Sequence, residues 1–97
     1  MSHRTLFIKD PNAVLDYTIN WTDWLAGDTI VLGGSPVSSQ WTVPAGLTKT
    51  NESFNATSAT VWLSGGTVGK IYEVVNRIVT LGGRTENRTL EIAVEEK

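Results

Sequence analysis

The chain has no cysteine, a single histidine and only three prolines among its 97 residues. Without cysteine there is no disulfide scaffold and no thiolate metal site, and the fold suits either redox environment. The one histidine, His3, lies near the first residue and lacks the partners that a metal site or a general base requires. Charge of either sign is also sparse. The formal net charge is −2 and the pI about 5.2, with no cluster of Lys or Arg to neutralise phosphates, so nucleic acid is not an expected partner. Long apolar runs are missing as well. The N-terminal "TLFI" holds three consecutive large apolar residues, too few for a signal-peptide core or a membrane span. The expectation is synthesis in the cytoplasm with no membrane partner. No segment keeps a 3.6-residue apolar period over three turns, so no substantial helix is expected.

What remains is a set of short alternating segments. With 40% hydrophobic and 19% charged residues the composition is that of one globular domain with a modest core. In "VLDYTINW", Leu15, Tyr17, Ile19 and Trp21 recur at period two with Asp16, Thr18 and Asn20 between them. That is the pattern of a half-buried strand, and Thr18 and Ile19 are stiff β-branched residues that favour it. Trp21 therefore ends a core stripe. Burying such a ring removes roughly 150–250 Å² from water, about 4–6 kcal/mol as an upper estimate. Trp24 stands three positions on, where strict alternation puts it on the opposite face; it reaches the core through a bend or sits at the rim.

Further strands are expected in "TIVL", ended by Gly33-Gly34, and in "SPVSSQWTVP", bracketed by Pro36 and Pro44, where Val37, Trp41 and Val43 share a parity. "AGLTKTNESFNATSA" reads as a loop with one short, weak strand anchored by Leu47 and Phe54. "TVWLS" is another strand, stopped by Gly65-Gly66; Trp62 has the opposite parity to Val61 and Leu63, so one set faces outward or meets a neighbour. The last third reads as a long hairpin, with strands over about residues 71–80 and 88–95 around "LGGRTEN". The first of these strands is apolar on both parities, which predicts a central strand covered on both faces or a bulge that shifts its phase. Tyr72 in "GKIY" opens the penultimate strand after a Gly-rich turn, the place of a tyrosine corner. Seven or so strands with Gly, Pro, Asn and Asp turns predict an all-β, immunoglobulin-like antiparallel sandwich over residues 13–97. Residues 1–12 are expected to form an extended arm outside it.

Chemistry is hard to find. "GGTVGK" is one residue short of a phosphate-binding loop, has Ile71 where Ser or Thr is needed, and leads into a strand. Asp23 and Asp28 flank a turn, but no D-x-D-x-D spacing supports calcium. Asp10, Asp16, Glu73, Glu86 and Glu91 are scattered. Asp28, Lys49, Glu52, Lys70 and Arg84 read as solvated loop charges. Four Asn-x-Ser/Thr sequons, at Asn20, Asn51, Asn55 and Asn87, are what a Thr-rich chain produces by chance. No enzyme, cofactor or metal is expected. Trp24 and Trp62 are the candidate contact aromatics, since buried interface aromatics tend to anchor binding. Tyr17, Trp21, Trp41 and Tyr72 are expected to serve the fold.

Three stretches carry a resemblance: "DPNAVLDYTINWTDWL", "SSQWTVPAGLT" and "ATVWLSGGTVGKIYEVVNRIVTLGGRTENRTLEIAVEEK". Over residues 9–97 the chain resembles the small tail-associated proteins of tailed phages called fiber-tail adaptors. The most specific pieces are "DYTINW…WL", "WTVPAGL" and "VWLSGGT" followed by Y-x-V-x-N-x-I-x-T. The resemblance implies a non-enzymatic virion component with an Ig-like fold, placed where fibers or neck structures join tail or head, in several copies around a symmetric axis. It brings no catalytic residues. Leu6, Phe7 and Ile8 of the arm are then candidates to add a strand to a partner's sheet edge. The competing reading is an Ig-like module that binds carbohydrate or a surface by stacking on Trp24 or Trp62.

Overall fold

The computed structural model describes residues 4–33 and 37–96; His3, Gly34 and Pro36, each given a reading above, lie outside them. Seven strands form two sheets: β1 (Arg4–Lys9), β2 (Leu15–Asn20), β3 (Ser39–Thr42), β4 (Leu47–Phe54), β5 (Ser58–Gly65), β6 (Ile71–Val79) and β7 (Thr85–Val94). The four-stranded sheet runs β1-β7-β6-β3 and the three-stranded sheet β2-β5-β4. The protein is an all-β sandwich.

The alternation of β2 decides its face. Tyr17 and Ile19 turn inward opposite Val61 and Ala59 of β5, while Asp16, Thr18 and Asn20 are exposed. The hairpin β6–β7 keeps one unbroken register from Ile71↔Ala93 to Val79↔Thr85. There is thus no bulge in β6, and its second apolar parity is not covered as a whole: Val75 and Val79 are half-buried and Ile71 is exposed. The inward parity reads Tyr72, Val74, Asn76, Ile78. Asn76 is fully buried and accepts from Trp21 Nε1 (3.0 Å), while its Nδ2 donates to Ser39 Oγ (3.0 Å) and the Gln40 carbonyl (3.1 Å). Both ends of its amide are paired, as burial of a polar group demands. The pairing ties β3, β6 and the end of β2 across the core.

The path of the chain after β2 settles the position of Trp24. Residues Thr22–Leu25 make a single helical turn, α1. Asn20 Oδ1 accepts from the Thr22 N–H at its start, and Ala26 in the left-handed region ends it. Residues three apart on a helical turn share a face. Trp24 therefore comes back onto Trp21, edge to face at 5.4 Å between centroids.

Three strand expectations need correction. "TIVL" is not a strand: it makes one isolated bridge, Ile30↔Thr80, because its N–H groups go to two different partners, Ile30 to the Ala56 carbonyl and Val31 to Val79. The segment expected as loop plus weak strand is the eight-residue β4, paired to β5 with a register shift between Lys49 and Asn51. The bulge breaks the alternation from which a strand is read. Finally, residues 6–8 do not stand outside the sandwich. They belong to β1, which runs parallel to β7 from Arg4↔Thr89 to Lys9↔Val94. Phe7 turns inward against Tyr17, 4.9 Å between ring centroids. Lys9 is fully buried, with Nζ on the carbonyls of Gly65 (2.7 Å) and Asp10 (2.9 Å). An apolar inward side chain and a buried ammonium dock the strand, which three apolar letters in the sequence do not reveal.

Candidate functional site

The outer faces of the two sheets differ in chemistry. On the four-stranded sheet the register sets Ile8, Ala93 and Ile71 in one row across β1, β7 and β6. Leu6 stands in the next row, beside Glu91 and Glu73. Leu6, Ile8 and Ile71 are 57%, 44% and 62% exposed, whereas Ala93 between the two isoleucines is buried. On the three-stranded sheet the rows are Asp16–Trp62–Asn51 and Thr18–Thr60–Ser53. The hydroxyls of Thr18 and Thr60 meet at 2.8 Å. Trp62, 38% exposed, is the one large apolar side chain in these two rows.

The expected contact residues thus divide. Leu6, Ile8 and Trp62 face solvent. Phe7 and Trp24 pack against the core instead, Phe7 because it sits at an inward position of β1, Trp24 because of the helical turn. Among the residues assigned to the fold, Tyr17, Trp21, Trp41 and Tyr72 are all buried. The Tyr72 hydroxyl accepts from the Thr67 N–H (2.9 Å); hydrogen bonds from the Thr67 hydroxyl and this N–H hold the phenol below its usual pKa, while burial pushes that of Tyr17 up. Gly46 must be glycine beside Tyr72: its φ is +106°, and a Cβ there would lie 2.8 Å from the ring.

Four of the five charges read as solvated are paired. Asp28 Oδ1 accepts from the N–H groups of Thr29 (2.8 Å) and Gly82 (3.0 Å), and Oδ2 pairs with Arg84 Nε (3.1 Å). A hydrogen bond from the Thr80 hydroxyl, these two N–H groups and Arg84 together hold the carboxyl down to about pKa 2, against the opposing effect of burial. Arg84 also donates to the Leu25 carbonyl (2.7 Å) and lies 4.2 Å above the Trp24 ring. Arg84 therefore covers one face of Trp24. Lys49 pairs with Glu52 on β4. Lys9, buried without a carboxylate at its Nζ contacts, has its pKa lowered by burial, partly offset by Asp10.

A cleft of about 550 Å³ opens between the sheets on the side of β1 and β2. Phe7, Ile19, Leu90 and Trp24 give it apolar walls; Thr18, Asn20, Asp23, Arg88 and Thr89 give it polar ones. Arg88 lies 4.3 Å above the Trp21 ring and donates to the Asn20 carbonyl (3.2 Å). Among the described residues no group of three or more His, Cys, Asp or Glu side chains is placed to hold a metal ion, and no helix is long and apolar enough to cross a membrane. The described residues thus offer two sheet faces and this cleft as surfaces for contact.

Sequence comparison finds no match among curated proteins. Over residues 9–93, which take in β2 to β6 whole and β7 but for its last residue, the chain matches the family described as podophage GP4 fiber-tail adaptor protein gp77, and it belongs to that family.

Proposed function

We propose that this protein is a non-enzymatic structural adaptor of a tailed-phage particle, joining tail or neck proteins to fibers by protein–protein contacts. Family membership supports the adaptor role and a place in the virion. The observation that carries the contact reading is the apolar row Ile8–Ala93–Ile71 with Leu6 beside it, laid across three strands of a rigid sheet. Contiguous apolar surface on a small soluble domain marks an interaction site. Trp62 on the opposite face is a second anchor. The immunoglobulin-like reading of the sandwich belongs to the same proposal: β2-β5-β4 against β3-β6-β7 is the strand order of such domains, with the first strand placed on the second sheet. The chain is made in the host cytoplasm and works in several copies around the particle axis.

The test is incorporation into particles. Ile71→Asp puts a charge on an already exposed position, so the fold stands, while incorporation falls by about tenfold or more if this face is a contact. Incorporation equal to wild type would remove the four-stranded face from the proposal.

A carbohydrate-binding reading draws on one observation: Trp62 is flanked by Asp16 and Asn51 and followed by a row of hydroxyls. It requires a change of tryptophan fluorescence with glycans that Trp62→Ala abolishes. An adaptor gives none and co-purifies with tail, neck or fiber proteins instead.

A further inference from the structure

We infer that the β2 edge and the cleft beside it accept an extended segment of another virion protein as an added strand, with an acidic side chain of that segment on Arg88. The inference rests on the adaptor reading and supplies it with a second contact surface.

The four sheet edges are not alike. On one side of the sandwich, β3 is only four residues long, and β4 carries a bulge between Lys49 and Asn51 with Lys49 and Glu52 beside it. Short strands, bulges and charges are the devices that blunt an edge against pairing. On the other side, β1 has six residues but carries the inward-pointing Lys9, whereas β2 has six residues in continuous register with β5, without proline, lysine or bulge.

Two hydrogen bonds tell which of its backbone groups are open. The Asn20 carbonyl accepts from Arg88, away from β5, while the next N–H, that of Trp21, goes to the Thr57 carbonyl. In a strand the N–H and C=O of one residue point to the same side, and the side alternates along the chain. Asp16, Thr18 and Asn20 thus present their main chain to the open edge, and Tyr17 and Ile19 present theirs to β5. The same Thr18, Ile19 and Asn20 line the cleft. A strand added there gains main-chain hydrogen bonds and drops alternate side chains between Phe7, Ile19 and Leu90.

Charge then specifies the occupant. Arg84 has Asp28, but among the described residues Arg88 has no carboxylate in ion-pair contact. Its guanidinium is held flat by the Trp21 ring and uses one N–H on Asn20. The remaining donors form a fork suited to a carboxylate. A partner segment with alternating apolar side chains and one Asp or Glu fits this edge. Because the open groups are main-chain donors and acceptors, an extended polypeptide satisfies them better than a small molecule.

The test places the photo-crosslinking residue p-benzoylphenylalanine at Thr18, and separately at Ile8 and Ile71, in phage particles, with sequencing of the crosslinked peptides. The expected result is a Thr18 crosslink to a segment of another virion protein with the stated pattern. Thr18→Pro removes an N–H that β5 does not use, so it should leave the thermal transition of the purified protein in place and cut incorporation by about tenfold or more; Arg88→Gln should cut it several-fold. If Thr18→Pro fails to fold, the crosslink decides alone. Particles that contain the chain but crosslink only from Ile8 or Ile71 overturn this site and leave the adaptor reading intact. A Thr18 crosslink between two copies of the chain overturns it in favour of a copy–copy contact. Particles without the chain overturn both.

Discussion

At the end of the sandwich where β6 turns into β7, side chains grip one another: Trp24 lies on Trp21, Arg84 on Trp24, Arg88 on Trp21, and Asp28 gathers Arg84 and two N–H groups. At the opposite end, where β5 turns into β6, side chains grip backbone: Tyr72 takes the Thr67 N–H and Lys9 donates to the Gly65 and Asp10 carbonyls. The first end carries charge at the surface and responds to pH. The second is fixed by contacts to backbone, that of the buried Lys9 ammonium among them, and by glycines that admit them, Gly46 against Tyr72 above all. One small domain thus closes its two loop clusters in two ways.

Four experiments sharpen this contrast. The largest effect is expected from Trp21→Ala, which empties the core under the first end and strands Asn76; a loss of about 3–5 kcal/mol, read by denaturant unfolding, would bring a domain of this size near its stability limit. A loss below about 1 kcal/mol would mean that the ring is not the keystone of that end. Next, Lys9→Met leaves the Gly65 and Asp10 carbonyls without their donor and should lower stability by about 1–3 kcal/mol, with faster amide exchange in β1. An unchanged melting curve would remove Lys9 as the clamp of β1. Tyr72→Phe deletes one hydrogen bond while keeping the ring and should lose about 0.5–1.5 kcal/mol in the same assay.

The smallest effect is local and set by acid. The Asp28 carboxyl is held at about 2, below its unfolded value. A depressed carboxylate contributes stability that is fully present above about pH 4 and is lost as pH falls toward 2. The amides of Thr29 and Gly82 should therefore lose exchange protection over that range before those of Gly66 and Gly69 do. Simultaneous loss at both ends would argue against a separate electrostatic clamp.

The strands legible in the sequence are those whose alternation is local and unbroken: β2, β3, β5 and the hairpin β6–β7, whose second strand starts earlier than the pattern suggests. β4 was hard to see because its bulge shifts the phase between Lys49 and Asn51 and its exposed residues are almost all polar. α1 is one turn and leaves no periodic trace, yet it alone sets the position of Trp24. β1 was hidden because its partner is remote in the chain. Leu6, Ile8 and Trp62 were found as candidates, but the β2 edge was not: an unpaired edge is a property of neighbours, not of letters. Asn76 did leave a signal, a polar residue at an apolar parity between Val74 and Ile78, which marks a buried polar hub.

The parallel pairing of β1 with β7 has a kinetic consequence. Arg4 meets Thr89, so a strand that leaves the ribosome early must wait until almost all of the described chain has been made before it finds its place. Until then Phe7 and Lys9 have no pocket and the outer flank of β7 lies bare. Closure of this last seam should be the slow event of folding, since pairings so distant along the chain demand the largest loss of chain entropy.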